Sequence, residues 1–495
     1  MIDSISWATV TPELLLLGMA CAIAIYDLFV TSPMRDATHR LTLLTLAVVA
    51  ALTAYMASTG EILSGFGGMY VSDPMGNWLK TFAAIAMMVT LIYSRHYAGA
   101  RGMLRGGELF TLSMFALLGM FVMISGHNFL IIYLGLELLT LSSYALVALR
   151  RDDLKATEAA MKYFVLGAMA SGFLLYGLSM VYGATGSLDI QTVSQVIAAG
   201  VDQPQVLVLG VVFVVAGLAF KLGVVPFHMW VPDVYHGAPT AITLFIGSAP
   251  KLAAFAIVIR LLVEGLAPLA FDWQQMLAVL AVVSLLIGNL AAVAQTNIKR
   301  MLAFSTIAQM GFMLLALVAG IGLGGDTANM TNAYSAAMFY VVSYVLTTLA
   351  VFGVLMLLSR EGFESDDIND LAGLNQRSPL YAGIMAACMF SLAGIPPLVG
   401  FYAKLSVLQA LLSIEGSVYV WLAVYAVMMS LIGAFYYLRV VKIMYFDAPA
   451  HNEPISASME VRTVLSVNGA LVLILGLIPG GLIALCAQAV ASILI

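Results

Sequence analysis

Five ionisable residues, Glu137, Lys162, Lys221, Lys251 and Lys404, lie deep within stretches that otherwise read as apolar membrane helix. Seating a lysine or aspartate at the centre of such a helix costs about 2.5 to 3.5 kcal/mol on insertion scales, and glutamate is expected to be similarly unwelcome. One carboxylate and four amines are suited to loading, passing and releasing protons. Metal and redox chemistry is not indicated. Cys21, Cys388 and Cys486 are scattered through apolar segments without CxxC spacing, and the six histidines form no HxxxH or HxxEH pair. No GxGxxG loop opening a helix is found either.

The elements that must position these charges follow from composition. With 62% hydrophobic and only 9% charged residues, the chain lies far from the roughly 45–50% apolar and 25% charged of soluble domains. Long apolar runs separated by short polar turns indicate helices and not a barrel, whose strands alternate over about 10 residues. The expected fold is an all-α integral membrane protein. Fourteen helices are predicted, at about 12–30, 41–58, 77–97, 108–125, 128–148, 156–184, 204–230, 238–264, 273–294, 300–321, 331–360, 379–413, 418–444 and 461–491. The N-terminal stretch MIDSISWATVTPE is acidic before its first apolar run, which is read as a first helix and not a cleaved signal.

An even count puts both termini on one side, and basic residues choose the side because cytoplasmic loops concentrate Lys and Arg. Fifteen of the 21 basic residues, from Arg35 to Arg462, fall in one set of alternate loops and flanks. The opposite set holds only Lys80 and Arg260. Both termini are therefore expected outside, in the periplasm of a bacterium.

Two long spans are interrupted by proline in similar contexts, GLAFKLGVVPFHMWVPD (217–233) and CMFSLAGIPPLVGFYAK (388–404). An offset of 170 residues superposes Phe220 on Phe390, Leu222 on Leu392 and Pro226 on Pro396. A proline inside a helix frees backbone carbonyls that must face protein or water. Paired interrupted segments in corresponding halves mark the site region of transporters, although prolines that merely kink packed helices are the alternative. The expected organisation is N-terminal helices 1–3 over 1–107, a first repeat over 108–264, a second over 273–444 and a C-terminal loop and helix over 445–495. The broken helices are the seventh and twelfth.

Each charge has a local context. Glu137 lies near mid-depth of its helix, followed by Thr140, Ser142 and Ser143, whose hydroxyls can line a hydrated path. Lys221 precedes the Pro226 break by five residues, and a Glu137–Lys221 pair is expected between helices five and seven. At about 6 Å and an effective dielectric of about 20 their coupling is roughly 3 kcal/mol. Lys251 follows Pro250 in the eighth helix, and Lys404 follows the second break as the acid/base group of the second half. Burial disfavours a charged ammonium, so lysines so placed can load and release protons. Snorkelling explains lysines near helix ends and not four at depth. Lys162 is closer to an end and has Glu158 four residues before it, so a surface ion pair is an equal reading. His228 and His236 flank the inner end of helix seven and suit proton uptake, or are plain loop histidines.

AFKLGVVPFHMWVPDVYHGAPT, KRMLAFSTIAQMGFMLL and FSLAGIPPLVGFYAK resemble the antiporter-like membrane subunits of respiratory complex I and of multisubunit cation/proton antiporters. The likeness covers about 108–445. PDVYHGAPT and a lysine at 404 resemble the subunit N branch of NADH:quinone oxidoreductase; subunit M usually has glutamate there, and subunit L continues into a lateral helix for which nothing remains after Ile495. His236 departs from the glutamate or glutamine common in that branch. The resemblance implies inverted repeats and a proton relay in which Glu137 and Lys221 are the coupling pair, Lys251 the centre, Lys404 the group nearest the exit and Lys162 an additional position. It also implies no cofactor in this chain, with NADH, FMN, iron–sulfur clusters and quinone held by partner subunits. Expected partners are other membrane-arm subunits, M and K above all, together with lipid, protons and water but no nucleic acid. The rival function is a Na⁺/H⁺ antiporter subunit driven by ion gradients.

Overall fold

The computed structural model describes residues 4–321, 327–359, 363–449, 455 and 457–494. His451, one of the six histidines, Arg360, one of the fifteen basic residues of the alternate loops, and Ile495 lie outside them. The helices run in chain order as α1 (Ser4–Thr9), α2 (Thr11–Asp27), α3 (Asp36–Thr59), α4 (Pro74–Ala100), α5 (Glu108–Ser125), α6 (Phe129–Val147), α7 (Leu154–Thr185), α8 (Ile190–Ala199), α9 (Pro204–Leu222), α10 (Trp230–Gly237), α11 (Thr240–Gly247), α12 (Ala249–Val258), α13 (Ala270–Val293), α14 (Ile298–Ala319), α15 (Thr327–Leu358), α16 (Leu374–Arg377), α17 (Pro379–Ala393), α18 (Val399–Leu412), α19 (Ser417–Phe446), α20 (Met459–Leu477) and α21 (Gly480–Ala491). A two-stranded hairpin, β1 (Leu63–Gly65) and β2 (Tyr70–Ser72), joins α3 to α4 with Leu63 opposite Ser72.

Every one of the fourteen apolar runs has become helix. Twelve helices among the described residues are long and apolar enough to span a bilayer, and shorter apolar helices complete the rest. Several helices start where the sequence supplies a cap. Asp73, Asn128, Asp153, Asp189 and Asn297 each accept a hydrogen bond from a backbone N–H of the first turn. Helices pack closely where side chains vanish: a Cβ on Gly119 of α5 would meet the Leu139 nitrogen of α6 at 2.4 Å, and one on Gly135 would meet the Met123 nitrogen at 2.6 Å.

The seventh and twelfth spans are broken as expected, into α9/α10 and α17/α18. Two further spans are also interrupted. The eighth divides at Ser248 and finishes in a π-helical turn, Ile259–Gly265, and the last divides between α20 and α21. The repeat register differs by one residue from the sequence match. Left-handed glycines end the first half-helices at Gly223 (φ 78°) and Gly394 (φ 87°), and cis peptides follow at Val225–Pro226 and Pro396–Pro397. The offset is thus 171, from 223 to 394 and from 226 to 397. Matching side-chain identities aligned Pro226 with the wrong member of the Pro396–Pro397 pair; backbone conformation sets the register.

The segment 240–265 and α14 are the most enclosed, each with 94% of its apolar window buried, against 22% for α19. Of the interior charges, Lys251 sits on one of these enclosed segments. Both chain ends lie at one face. Phe66 donates to Ser6 Oγ, the hairpin bridges Tyr70 to Gly126, and Ser492 to Leu494 line a pocket with His127 and Asp189. The opposite face gathers Arg101, Arg105, Arg150, Arg151, Lys155 and Lys299 around a cavity of about 740 Å³.

Candidate functional site: a lysine on each broken helix

A helix that stops inside the protein leaves its last carbonyls without partners. At the first break Gly223 turns the chain away from α9, and Lys251 fills the gap: its Nζ donates to Leu222 O at 2.9 Å and lies 3.5 Å from Lys221 O. At the second break Gly394 ends α17, and Lys404 Nζ donates to Ala393 O at 3.0 Å and to Ser430 Oγ at 2.8 Å. Leu222 and Ala393 are equivalent under the 171-residue offset. Each lysine is buried, 1% and 8% exposed, and each sits at the negative end of a half-helix, where a cation is favoured. Aromatic faces complete the cages, with Lys251 Nζ 5.6 Å from the Trp230 ring and Lys404 Nζ 4.9 Å from that of Phe312.

Lys221 ends α9 and donates to Thr140 Oγ1 on α6. The expected ion pair with Glu137 is not formed. Glu137 lies one turn before Thr140, partly buried, and its Oε1 is buried without a hydrogen-bond partner. Lys221 and Lys251 share a cavity of about 20 Å³ with Ser143, Tyr163 and Trp230, enough for about one water.

Uncharged polar groups cluster on the central helices α14 and α15 and on their neighbours. Tyr235 lies beside Thr306 and Tyr344, and Thr306 Oγ1 and Tyr344 OH are 2.8 Å apart. Ser305 bonds Tyr437, and Gln309 Nε2 donates to Tyr437 OH at 2.9 Å and to Leu392 O at 3.1 Å. Tyr340 donates to Gln309 Oε1. Leu392 adjoins Ala393, the acceptor of Lys404. Ser305, Thr306 and Gln309 stand in the KRMLAFSTIAQMGF segment, but nothing in their types set them apart from packing residues.

The other candidates lie elsewhere. Lys162 is exposed on α7, paired to Glu158 at 2.8 Å and to Asp233 at 3.0 Å, and Asp233 also meets Arg300 at 2.9 Å. His228 sits in the first break with Nδ1 buried and unpartnered. His236 lines the large basic-face cavity beside Lys299, Glu364 and Asp366. There burial pushes Glu364 up, but the Arg101 guanidinium at 2.6 Å, with Tyr97 OH at 2.8 Å, holds its carboxyl below the usual range.

Two charges counted with the loop flanks, Lys80 and Arg260, are buried. Lys80, 0% exposed, pairs with Glu13 at 2.6 Å, so Glu137 is not the sole interior acid. Arg260, 1% exposed, pairs with Asp73 and Glu264. Both stand near helix ends, where counting along the sequence cannot tell a flank from a buried pair. Among the described residues no group of three His, Cys, Asp or Glu side chains is arranged to hold a metal.

Paired broken helices with their ends met by buried lysines define a polytopic membrane subunit of the broken-helix class. The family described as NADH:quinone oxidoreductase/Mrp antiporter, TM matches residues 126–433. NADH-quinone oxidoreductase subunit N of Polaromonas naphthalenivorans is 68% identical, with 100% of this chain and 99% of that protein covered. Its namesake in Herminiimonas arsenicoxydans is 60% identical, with 99% of each covered. A chain of respiratory complex I from Thermus thermophilus superposes with a TM-score of 0.80 at 32% identity, covering 96% of this chain and 99% of that one. A chain of the Mrp complex from Dietzia sp. shares the fold, with a TM-score of 0.83 at 20% identity over 98% and 97%. The protein belongs to the antiporter-like membrane subunit family of NADH:quinone oxidoreductase, and its full-length similarity is to subunit N.

Proposed function

We propose that this chain is a proton-translocating membrane-arm subunit of a bacterial NADH:quinone oxidoreductase. The observation that carries the reading is the pair of buried lysines, Lys251 and Lys404, each meeting the carbonyl end of a broken half-helix. Such amines exchange protons without covalent chemistry, and the coupling arises from charges moving nearby. NADH, FMN, iron–sulfur clusters and quinone belong in this reading to other subunits. Subunits M and K are the proposed neighbours, and the repeats span 108–264 and 273–444. The similarity to subunit N over the whole chain favours this over a gradient-driven antiporter, whose likeness extends to the fold.

In the proposed cycle Lys221 has two acceptors, Thr140 and Glu137, one helical turn or about 5 Å apart on α6. A charge change in the neighbouring subunit draws Lys221 toward Glu137 or releases it to Thr140. Each move alters the field at Lys251 across their shared cavity. The proton then passes from Lys251 along Tyr235, Thr306, Tyr344 and Gln309 to Lys404. Moving one charge against 100 mV costs about 2.3 kcal/mol, comparable to the coupling of two charges about 6 Å apart in a partly hydrated interior. Uptake is from the basic face, where His236 lines the cavity and His228 stands at the break, and Lys162 is an accessory position. That face is cytoplasmic and both termini are periplasmic, in accord with the fifteen-to-two distribution of basic residues.

The test is a Glu137→Ala, Lys221→Ala double variant in the assembled complex. Proton-coupled quinone reduction is expected to fall at least tenfold, about 1.4 kcal/mol. Near-normal pumping with normal subunit content would sink the assignment.

A further inference from the structure

The relay leaves a second set of buried charges unused, at the face that carries the chain termini. Arg260, in the π-turn that ends the eighth span, pairs with Asp73 of the α4 cap and, at 2.7 Å, with Glu264. Its Nε donates to Ile124 O at 3.1 Å. The other side of Glu264 meets His127 Nε2 at 3.3 Å, and His127 Nδ1 faces Asp189 at 4.0 Å. These five groups line a pocket of about 650 Å³. They form one ionic string from a fully buried arginine to a partly exposed histidine.

Three features separate this string from an ordinary surface ion pair. Asp73 and Arg260 are each 1% exposed, so their desolvation is nearly complete. Among the described residues, helical backbone departs from α to π only where Arg260 and Glu264 are presented, and such turns recur at functional sites. The string also continues inward, since next to Ile124 the Ser125 hydroxyl is buried without a partner, and the Lys80–Glu13 pair lies beside Tyr70, with Nζ 5.5 Å from its ring. Among the described residues His127 is the one histidine at this face.

Its position along the chain connects it to the relay. Arg260 is nine residues beyond Lys251 on one continuous segment, about 13 Å toward the terminus-bearing face. The intervening residues, Leu252 to Ile259, are apolar and buried. Lys251 thus stands at the inner end of a dry stretch whose outer end is charged and opens to a pocket.

We propose that the His127–Glu264–Arg260–Asp73 network, with Asp189 beside it, is a proton outlet of the first half of the molecule. A proton arriving when the dry stretch opens is accepted by the Glu264 carboxylate or the His127 imidazole, and leaves through the pocket to solvent. Arg260 holds Glu264 in place between transfers. Release then occurs near the first broken helix, not solely beyond Lys404. This rests on the proton-translocating reading above.

The experiment uses the whole complex in liposomes with its NADH-oxidising arm outward, so that the terminus-bearing face meets a lumen buffered at acidic, neutral or alkaline pH. Initial NADH:quinone rates are read against lumen pH at fixed external pH. The unaltered complex is expected to slow as the lumen acidifies. Glu264→Gln is expected to lose most of that dependence, His127→Gln to shift its midpoint, and Glu264→Asp to restore it. Profiles for Glu264→Gln and His127→Gln that superimpose on the unaltered one overturn the proposal. If Glu264→Gln fails to assemble, as judged by subunit content, His127→Gln and Glu264→Asp decide alone. A Lys251→Ala complex in the same series separates the two ideas: its undiminished pumping would overturn the translocating reading, whereas its loss with unchanged outlet profiles would overturn only the outlet.

Discussion

The two broken helices share a backbone and differ in what occupies them. At the first, the capping lysine comes from another span, since Lys251 lies on α12 and reaches across to α9. At the second, Lys404 comes from the far half of the same span and reaches back to α17. Under the 171-residue offset Lys221 corresponds to Leu392, and Lys404 to Asp233. Two amines therefore meet in one cavity at the first break, whereas one amine with a hydroxyl partner, Ser430, holds the second. Repetition has conserved the geometry of an interrupted helix while changing its charge. In the proposed cycle the site with two neighbouring amines responds to an incoming charge, and the site with one amine receives what the first sends.

The sharpest way to break that comparison is to remove each capping amine. Lys251→Ala deletes both the proposed central relay and the electrostatic neighbour of Lys221, and is expected to cut coupled turnover at least tenfold, about 1.4 kcal/mol or more on the barrier. Lys404→Ala is expected to cost less, because Ser430 Oγ lies 3.3 Å from Ala393 O and can still satisfy that carbonyl. Proton translocation and NADH:quinone activity of the assembled complexes are the measurements. A larger loss for Lys404→Ala than for Lys251→Ala would invert the proposed order.

Next in size is the hydroxyl that receives Lys221. Thr140→Val preserves shape and removes the acceptor, leaving a partly buried ammonium with Glu137 as its nearest recourse. An unsatisfied buried polar group costs about 1–3 kcal/mol, so a turnover loss of roughly fivefold or more is expected if the Thr140-bound state is part of the cycle. Thr140→Ser should behave as the unaltered protein. Equal activity of the valine and serine variants would remove Thr140 from the mechanism and make the first break simpler than drawn.

Much of this arrangement was legible in the sequence, and the failures have physical reasons. Fourteen apolar runs became helices because, without water, a backbone must satisfy itself locally. Pro226 and the Pro396–Pro397 pair marked the breaks, because a residue without an N–H cannot continue the ladder. Lys251 and Lys404 were visible as costs without benefits. What they bond was not, since the carbonyls of Leu222 and Ala393 are backbone groups carried by any residue. The break at Ser248 had its signal in Gly247 and Pro250, which flank it, whereas the π-turn after Val258 carries no breaker residue at the point of departure. Lys80 looked like a flank because its partner, Glu13, is distant in sequence and joined to it only by folding.

Lys162 offers the smallest effect and the clearest contrast with Lys221. Both lysines lie in apolar helices and both have carboxylates in reach, but Lys162 is bonded to two of them at the surface while Lys221 is inside and bonded to none. Exposed ion pairs contribute about 0–1 kcal/mol, and no hydroxyl file leads from Lys162 toward Lys251 among the described contacts. Asp233 retains Arg300 when Lys162 is lost, so the end of the first broken helix stays anchored. Lys162→Gln is accordingly expected to leave turnover within about twofold of the unaltered complex, measured beside Lys221→Gln under the same conditions. A tenfold loss for Lys162→Gln would mean that a neighbouring subunit covers Glu158 and Asp233 and turns this surface cluster into a buried one. The relay would then begin outside Glu137, at the exposed face of α7.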